Sequence, residues 1–358
     1  MAYGNYPDLS FVRRILVIKL RHLGDVLLTT PFFSCLKNAL PSASVDAYIY
    51  QEGESLLENH PAISKIHCYD RAWKKEWFGR RLLREAALLR KIRNCSYDMV
   101  INLTEGDRGA LAARFSRAPI RVGVDARRIY THTAKSCPSL RHTVERQLDV
   151  LRKIGIFPDQ DERELFFSIP QEVRENARRK VPWERFILIH PASRWRFKCI
   201  SNKTMRNVAR RLVEKGEKLV FTSGSDPAER AMVQEIIYDL PPGSCCSLAG
   251  AITILELGAL IEQSAALLCV DSLPLHLASA LKTPVVALFG PTSEITWGPW
   301  RNPHARVITE KMSCRPCYLD GCGGGKVSDC LQTLSEERIL SELEVVSKVG
   351  ESSLRVIY

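Results

Sequence analysis

The sequence predicts an α/β protein made of two Rossmann-like domains, each with a doubly wound parallel sheet. The chain has 358 residues, which exceeds the size that one hydrophobic core usually serves and suits two domains of roughly 100–200 residues each. Short β-branched apolar runs alternate with helix-like segments, a pattern typical of parallel strands joined by crossover helices. The stretch 157–183 is polar and contains three prolines, so we expect a hinge there. The expected domains are residues 1–175 and 176–358.

The first domain is expected to begin with a strand at residues 14–20, a nearly all-apolar run of the kind buried on both faces of a sheet. A helix over residues 25–40 follows this strand. Further strands are expected at residues 44–50, 63–69, 97–103 and 120–124. Residues 125–140 lack periodicity and predict a long loop, and residues 142–154 predict a helix.

The second domain repeats the alternation of strands and helices. Its strands are expected at residues 186–190, 218–222, 266–270 and 284–289. Its helices are expected at residues 201–215, 227–239, 253–263 and 274–281, and a last helix is free to pack back on the first domain. Ligands of such sheets bind beyond the carboxyl ends of the strands, so the loops after these strands are where function is sought.

The charge of the chain favours an anionic partner, since the formal net charge is +11. The densest basic stretch is 71–93, which has apolar residues at helical spacing and Trp77 and Phe78 near its start. This pattern fits a helix lying on an anionic membrane. The alternative is a solvated helix that docks on its own domain by its apolar stripe.

Membrane spans and signal peptides are not indicated. The longest apolar candidate, residues 257–270, is interrupted by Glu262 and Gln263 and falls short of the roughly 20 residues that a span needs. Basic residues interrupt the first strand, so it cannot serve as the core of a signal peptide. We therefore expect a cytoplasmic protein.

The loop after the first strand contains Gly24 and Asp25 and opens a helix. The pattern G-x-G-x-x-G that a dinucleotide site requires is absent there, which argues against a dehydrogenase. Gly24 permits a tight turn, and Asp25 follows it at the start of the helix. Aspartate in such a position is ordinarily an N-cap worth about 1 kcal/mol, so a catalytic interpretation needs support from the second domain.

Three loops of the second domain supply polar candidates. Residues 190–198 combine Ser193 with Lys198 and two arginines, which suits a diphosphate at a helix terminus. Asp271 and Ser272 follow the third strand of the domain, and Asp226 lies where a carboxylate would meet ribose hydroxyls. Each loop also has a plain structural interpretation, as a solvated basic loop, an ordinary helix start or a turn with a cap.

Four of the twelve cysteines form a cluster near the carboxyl end of the chain. They have the spacing C-x2-C-x4-C-x7-C in a glycine-rich segment and are Cys314, Cys317, Cys322 and Cys330. Four thiols this close together are typical of a structural zinc or iron–sulfur site. The alternative is a group of free or redox-labile thiols.

These motifs together resemble glycosyltransferase family 9, the bacterial lipopolysaccharide heptosyltransferases. The resemblance rests on Gly24-Asp25, on residues 190–198, on Asp271-Ser272 with His276, and on residues 288–292, and it covers nearly the whole chain. It implies a GT-B fold, in which two Rossmann-like domains face a central cleft. It also implies an inverting enzyme that moves heptose from ADP-heptose to the inner core of lipopolysaccharide at the cytoplasmic surface of the inner membrane, with no required cofactor.

The resemblance also assigns roles by position. It implies that Asp25 is the general base, that Lys198 binds the diphosphate, and that Asp271 and Ser272 contact sugar and phosphate. Ser193 falls at a donor-binding hydroxyl, His276 at the histidine that closes the motif, and Gly24 at the substrate-binding turn. Asp226 matches less well because the family presents a glutamate nearby. Leu273 departs from the family, which has a small glycine at that position.

Two other function classes remain open from the sequence. Another GT-B enzyme of nucleotide sugars, with a different donor or with epimerase activity, would share the fold; an epimerase would need additional carboxylates in the cleft. A basic nucleic-acid-binding protein with a four-cysteine metal site would explain the charge and the cysteines. No nucleic-acid recognition motif is present, so we expect no nucleic-acid partner. The phosphorylated glycolipid is expected to meet basic residues of the first domain, namely Arg108, Arg121, Arg127, Arg128 and the helix at 71–93.

Overall fold

The computed structural model describes residues 6–125, 127–134 and 140–354, and their side chains up to residue 348. The chain divides into two compact units, residues 1–168 and 169–358. The division falls seven residues before the expected boundary at 175, because the helix Gln171–Arg179 packs within the second unit. Arg174 of this helix forms an ion pair with Glu262, 2.6 Å from Nε to Oε2.

The first unit contains one parallel sheet with helices between its strands. Its elements are β1 Arg14–Lys19, α1 Leu23–Leu27, α2 Thr30–Ala39, β2 Ser44–Tyr50, α3 Glu54–Leu57, β3 Lys65–Tyr69, α4 Phe78–Asn94, β4 Met99–Asn102, α5 Asp107–Ser116, β5 Ile120–Gly123, β6 His132–Thr133 and α6 Thr143–Arg152. The strand order is β3-β2-β1-β4-β5-β6, which is the Rossmann order. The order reverses between β1 and β4, so the loops after these two strands lie at the topological switch point.

Several elements of the first unit differ from expectation. The helix expected at 25–40 is two helices, because α1 ends at Leu27 and α2 begins at Thr30 with Pro31 in its first turn. The basic stretch begins with a 3₁₀ turn at Arg71–Lys75 before α4 starts at Phe78. β6 lies inside the expected loop 125–140, of which residues 126 and 135–139 are outside the described part.

The second unit repeats the same topology. Its elements are α7 Gln171–Arg179, β7 Ile187–His190, α8 Asn202–Glu214, β8 Leu219–Phe221, α9 Pro227–Ile237, β9 Cys245–Ser247, α10 Ile254–Gln263, β10 Ala266–Val270, α11 Leu273–Leu281, β11 Val285–Phe289, α12 Glu294–Trp297, β12 Ala305–Thr309, α13 Asp329–Gln332 and α14 Glu336–Leu354. The strand order β12-β11-β10-β7-β8-β9 is again the Rossmann order, with its switch point between β7 and β10. The predicted fold class is therefore confirmed for both sheets.

In the second unit, the degree of burial explains which strands could be predicted from the sequence. β10 and β11 are buried along their whole length, as continuous apolar runs require. The edge strands β9 and β12 were not anticipated, because they are partly exposed and lack such a run. The last helix, α14, buries Ile339, Leu340 and Leu343 in the core of the second unit. The expectation that it packs on the first domain is wrong for these residues.

None of the helices in the described residues is both long enough and apolar enough to cross a membrane.

Candidate active site

The turn after β1 is held in place by a hydrogen-bond network from the neighbouring strand β4. The backbone amide of Leu20 donates to Thr104 Oγ1 over 2.9 Å, and the amide of Thr104 donates to Asn102 Oδ1 over 3.0 Å. The Asn102 side-chain amide donates to the Tyr130 hydroxyl over 2.7 Å. These groups are buried, so their bonds are strong constraints. The network fixes where the chain turns from β1 into α1 at the switch point.

Asp25 lies inside α1 and does not cap it. The N-cap position belongs to His22, whose side chain makes no capping hydrogen bond, and Asp25 is the third residue of the helix. The capping interpretation of Asp25 is therefore wrong. Its backbone carbonyl accepts a hydrogen bond from Thr29 Oγ1 over 2.7 Å. Its half-exposed carboxylate forms no hydrogen bond or ion pair with the residues that the structure describes, so it is available to a ligand.

Lys19, the last residue of β1, places a buried positive charge near Asp25. Its side chain belongs to a residue that is only 5% exposed, and burial lowers its pKa to about 8. The Asp25 carboxylate acts in the opposite direction and raises this pKa, while Arg21 and Arg146 of α6 lower it further. In the sequence, Lys19 stands out only as one of the basic residues that interrupt the first apolar strand. A lysine in an otherwise apolar buried strand was the signal that could have identified it.

We expect Lys19→Met to stabilise the first unit by on the order of 1–3 kcal/mol at pH 7, because burial lowers the pKa of Lys19 to about 8 and the charged ammonium therefore costs free energy in the folded chain. The folded chain gives up this proton at lower pH than the unfolded chain does. The stability of the wild type therefore rises between about pH 8 and 10.5, and the advantage of the variant shrinks there. Urea unfolding at pH 7 and at pH 9 measures both effects. An equal difference at the two pH values would contradict a depressed pKa.

The second unit brings Lys198, Asp271 and Thr292 together from three loops. Lys198 Nζ lies 2.7 Å from Asp271 Oδ2, and Thr292 Oγ1 donates to the same carboxylate oxygen over 2.7 Å. Lys198 follows β7 and Asp271 follows β10, so the pair lies at the switch point of this sheet. The Asp271 side chain is 5% exposed and the Lys198 side chain 18%. An ammonium has three donors, and this pair leaves donors of Lys198 for an anion.

The start of α11 lies beside this pair and is suited to bind phosphate. Ser272 is its N-cap residue, but the side chain makes no capping bond and instead donates to the Val270 carbonyl over 3.3 Å. In the first turn Pro274 has no N–H and the Leu275 amide donates to the Ser272 carbonyl over 3.2 Å, so the Leu273 amide is the first-turn donor left for an anion. His276 is buried within the helix, at 4% exposure. Leu273, the departure from the family, is half-buried at the first helical position.

Ser193 and Asp226 have local structural roles in addition to the predicted ones. Ser193 Oγ accepts a hydrogen bond from the Trp195 amide over 3.3 Å. Asp226 is exposed and caps α9, since its carboxylate accepts from the Ala228 amide over 2.8 Å. Glu229, one turn later, is half-buried and accepts from the Gly224 amide, and burial raises its pKa. The site roles of Ser193 and Asp226 stay predictions.

Three of the basic residues expected to attract the acceptor are engaged within the first unit. The Arg121 guanidinium donates to the carbonyls of Ala118 and Ile129, at 2.5 and 2.7 Å. Arg127 pairs with Asp107 and Asp125. The guanidinium of Arg108 stacks on the ring of Tyr69, 4.1 Å from its centroid. The charge near Asp25 comes instead from Lys19, Arg21 and Arg146.

Three of the four C-terminal cysteines lie near the fourth, whose thiol is buried. Cys330 is buried, Cys317 is half-buried, and Cys314 and Cys322 are exposed. Burial raises the pKa of Cys330, and the other three thiols raise it further, which places them near Cys330. In the described part of the chain, however, no three of these sulfurs lie within 4.8 Å of one another. The metal site at these residues stays a prediction.

A second group of potential metal ligands is linked by hydrogen bonds through a tyrosine hydroxyl. Asp46, His67 and Cys95 have ligand atoms within 4.8 Å of one another. The Tyr97 hydroxyl lies among them, 2.6 Å from Asp46 Oδ2 and 2.8 Å from His67 Nε2. Asp46 lies near the amino end of β2, His67 lies in β3, and Cys95 precedes β4. We interpret the group as a buried hydrogen-bond network.

Helix α4 is docked at its carboxyl end and exposed at its amino end. Leu88, Leu89 and Ile92 pack on the core of the first unit. The residues near the start of the helix form what we call the apolar wedge, and all are largely exposed: Trp77 at 80%, Phe78 at 73%, Leu82 at 55% and Leu83 at 72%. The Trp77 ring lies against Gly79, where a Cβ atom would overlap it. The docked-helix interpretation therefore holds for only half of α4.

Two Rossmann units with polar residues at both switch points form the scaffold expected of a GT-B glycosyltransferase, and comparisons with known proteins agree. The family described as glycosyltransferase family 9 (heptosyltransferase) matches residues 85–327. Lipopolysaccharide heptosyltransferase 3 from Escherichia coli is 32% identical over 295 residues, covering 79% of this chain and 85% of that protein. A glycosyl transferase family 9 structure from Veillonella parvula DSM 2008 gives a TM-score of 0.82 at 25% identity and covers 96% of this chain and 99% of that one.

The chain belongs to glycosyltransferase family 9, the heptosyltransferases, and it is a glycosyltransferase with the GT-B fold. The structure of Escherichia coli ADP-heptose lps heptosyltransferase II supports the fold, with a TM-score of 0.77 at 21% identity over 94% of this chain and 99% of that one. The resemblance found in the sequence is thereby confirmed.

Proposed function

We propose that this enzyme transfers heptose from ADP-heptose to a sugar of the lipopolysaccharide core, with inversion at the anomeric carbon. Asp25 carries the proposal, because it is a carboxylate without hydrogen-bond or ion-pair partners among the described residues, at the switch point of the first sheet. A carboxylate held in this way accepts the proton of an acceptor hydroxyl. The names of the related proteins supply the donor and acceptor: lipopolysaccharide heptosyltransferase 3 and ADP-heptose lps heptosyltransferase II.

The donor diphosphate is assigned to the switch point of the second sheet. Lys198 provides a positive charge whose position is fixed by Asp271, and Asp271 is fixed in turn by Thr292. The start of α11 after Ser272 adds the backbone amide of Leu273 as a donor. A preorganised cation and amide stabilise the charge that develops on a leaving diphosphate.

The reaction follows from these two sites. The acceptor oxygen forms a bond to the anomeric carbon of heptose while the bond from that carbon to the diphosphate oxygen breaks. The hydroxyl proton passes to the Asp25 carboxylate, and the electron pair of the broken bond leaves with ADP. Lys198 and the Leu273 amide stabilise this leaving charge. Attack opposite to the leaving group inverts the anomeric configuration.

Binding and turnover with a panel of nucleotides test the donor. We expect ADP to bind more tightly than UDP or GDP in calorimetry, and ADP-heptose to be consumed faster than other nucleotide sugars when a core glycolipid is present. Tighter binding of UDP would overturn the ADP assignment. Conversion of the sugar without transfer to the glycolipid would instead indicate epimerase chemistry.

We further propose that the enzyme works on the cytoplasmic surface of the inner membrane and that the apolar wedge of α4 contacts the lipid there. Residues 71–93 carry nine lysines and arginines and two glutamates. Lys74, Lys75 and Arg80 are exposed beside the wedge. Exposed aromatic and aliphatic side chains next to basic ones are typical of helices that bind anionic lipid surfaces.

The triple variant Trp77→Ser/Phe78→Ser/Leu83→Ser is expected to bind vesicles containing phosphatidylglycerol at least about tenfold more weakly than the wild type, because it removes the inserted apolar area. Co-sedimentation at two salt concentrations measures this binding, which salt should weaken. Tyr238→Ser is the control, since Tyr238 is 88% exposed in the second unit. Unchanged binding by the triple variant would exclude the wedge. A change in oligomeric state of the variant would point to a protein partner instead.

For the cysteine cluster, we propose a structural zinc or iron ion held by Cys314, Cys317, Cys322 and Cys330. Their thiolates are the ligands that both metals accept in structural sites. The backbone amide of Asp329 already donates to Cys322 Sγ over 3.4 Å. The transfer reaction itself requires no metal.

A further inference from the structure

The segment 314–332, which contains the four cysteines and is here called the cysteine segment, contacts the loop that carries Thr292. Arg315 Nε donates to the Gly290 carbonyl over 2.6 Å, and its Nη2 donates to the Thr292 carbonyl over 3.4 Å. The Arg315 side chain is 8% exposed and also pairs with Glu294 over 3.0 Å. The amide of Tyr318 donates to the Pro291 carbonyl over 2.9 Å. The first part of the cysteine segment therefore holds residues 290–292 in place.

The last part of the cysteine segment contacts the loop that carries Lys198. Ser328 Oγ, buried at 1% exposure, donates to the Phe197 carbonyl over 2.7 Å. The Gln332 side chain donates to the Cys199 carbonyl over 3.4 Å. These two carbonyls belong to the residues on either side of Lys198. The segment thus touches both loops that supply partners of Asp271.

Three of the four cysteines lie at the same two places as these contacts. Cys314 and Cys317 flank Arg315, and Cys330 lies between Ser328 and Gln332. The two places are joined by a glycine-rich turn that contains Cys322 and in which Gly321, Gly323 and Gly324 have positive φ angles, which glycine adopts without strain. Ligation of one zinc ion places its sulfurs about 3.8 Å apart, as bonds of about 2.3 Å in a tetrahedron require. No three of these sulfurs are within 4.8 Å of one another in the described residues, so ligation has to bring the thiols closer together.

We propose that a thiolate-binding metal ion, zinc or iron(II), closes the cysteine segment across the donor loops and thereby tightens binding of the donor diphosphate. The four thiols lose their protons to solvent as they bind the ion, and no electron is transferred. Arg315 and Ser328 already contact residues 290–292 and Phe197, and ligation of the thiols beside them restrains the motion of these contacts. The restraint extends to Thr292 and Lys198 on either side of Asp271. The ion acts on donor affinity and not on proton transfer, because the base Asp25 lies in the other unit.

This inference rests on the proposed ADP-dependent function, and a calorimetric experiment tests it. The full-length enzyme is stripped of metal under anaerobic conditions, and ADP binding is measured before and after one equivalent of zinc or iron(II) is added. We expect about one ion per chain by elemental analysis and an ADP Kd about tenfold lower with the ion. Cys322→Ser is expected to lose both the ion and the gain in affinity. Cys245→Ser is the matched control, because Cys245 lies in β9 and is expected to change neither.

Variants of Arg315 test whether metal binding and the gain in ADP affinity can be separated. Arg315→Gln is expected to keep the ion but to lose most of the gain in ADP affinity, so that KM for the donor rises while kcat stays close to the wild-type value. Arg315→Lys, which keeps one donor, is expected to recover part of the gain. Absence of stoichiometric metal, or equal ADP affinity with and without it, would overturn the inference. Full metal-dependent gain in Arg315→Gln would overturn the route through Arg315.

Hydrogen exchange distinguishes a failure of the proposed metal coupling from a failure of the proposed ADP-dependent function. If ADP binds neither form, the donor assignment is wrong, but metal should still slow amide exchange in residues 197–199 and 290–292. We expect that slowing in the wild type and in Cys245→Ser, and its loss in Cys322→Ser. Exchange in these residues that is unaffected by metal would contradict the coupling, whatever nucleotide the enzyme uses.

Discussion

Replacing Asp25 with asparagine is expected to lower kcat by about 10²- to 10⁴-fold, the contribution usual for a general base. Asparagine is nearly the same size but cannot take the proton of the acceptor hydroxyl. The Asp25 carboxylate forms no hydrogen bond or ion pair with described residues, so the substitution should leave α1 intact. Steady-state kinetics with ADP-heptose and a core glycolipid measure the loss. Calorimetry should show an unchanged ADP Kd, because the donor site is assigned to the second unit.

Asp159→Asn provides the matched control for this experiment. Asp159 is also an aspartate of the first unit, and its side chain is exposed, so its removal should leave kcat within a factor of about two, as is usual for surface changes. Wild-type turnover in Asp25→Asn would exclude Asp25 as the base. A large loss of ADP affinity in this variant would indicate that Asp25 acts on the donor instead.

Replacing Lys198 with alanine is expected to lower kcat/KM by about 10²- to 10³-fold, as is typical when one preorganised donor to a developing anion is removed. Of the two contacts to the Asp271 carboxylate described above, only the hydrogen bond from the Thr292 hydroxyl remains in the variant. The buried carboxylate then carries a negative charge that Lys198 no longer balances. That charge would repel the diphosphate, so ADP should bind more weakly as well. Kinetics over a range of ADP-heptose concentrations, together with ADP calorimetry, measure both effects.

Lys203→Ala is the control for Lys198→Ala. Lys203 is an exposed lysine in the first turn of α8, five residues further along the chain, and it should have little effect. Lys198→Ala/Asp271→Asn tests the repulsion directly, because it removes the uncompensated charge and should bind ADP better than Lys198→Ala alone. An ADP Kd for Lys198→Ala equal to the wild-type value would contradict the assignment of Lys198 to the diphosphate.

Sequence patterns identified the buried strands well and the exposed edges poorly. β10 and β11 are apolar throughout and were anticipated almost to the residue, since a continuous run is the mark of a strand covered on both faces. The short strands β6 and β9 were not anticipated, because two or three partly exposed residues carry no periodic signal. Pairing with a neighbouring strand, and not local preference, makes them part of the sheet.

The candidate site shows the same division between local and distant contacts. Gly24-Asp25 and Asp271-Ser272 were recognisable because each motif lies within a few residues of the chain. The role of Asp25 was misread locally as a cap, because helix α1 begins at Leu23 and its N-cap is His22. Thr292 was identified only as the last residue of the motif at 288–292, although its hydroxyl donates to a carboxylate 21 residues away.

The sequence by itself determined two parallel-sheet units, the family and the residues that carry its motifs, because these depend on hydrophobic periodicity and on short spacings. Only the tertiary structure decided that Lys198 meets Asp271 across 73 residues of sequence, that Lys19 is a buried charge near Asp25, and that α4 is docked at one end and exposed at the other. The physical reason is that burial and charge pairing depend on which strands become neighbours. A Rossmann sheet places its first and fourth strands side by side, and no local pattern contains that information.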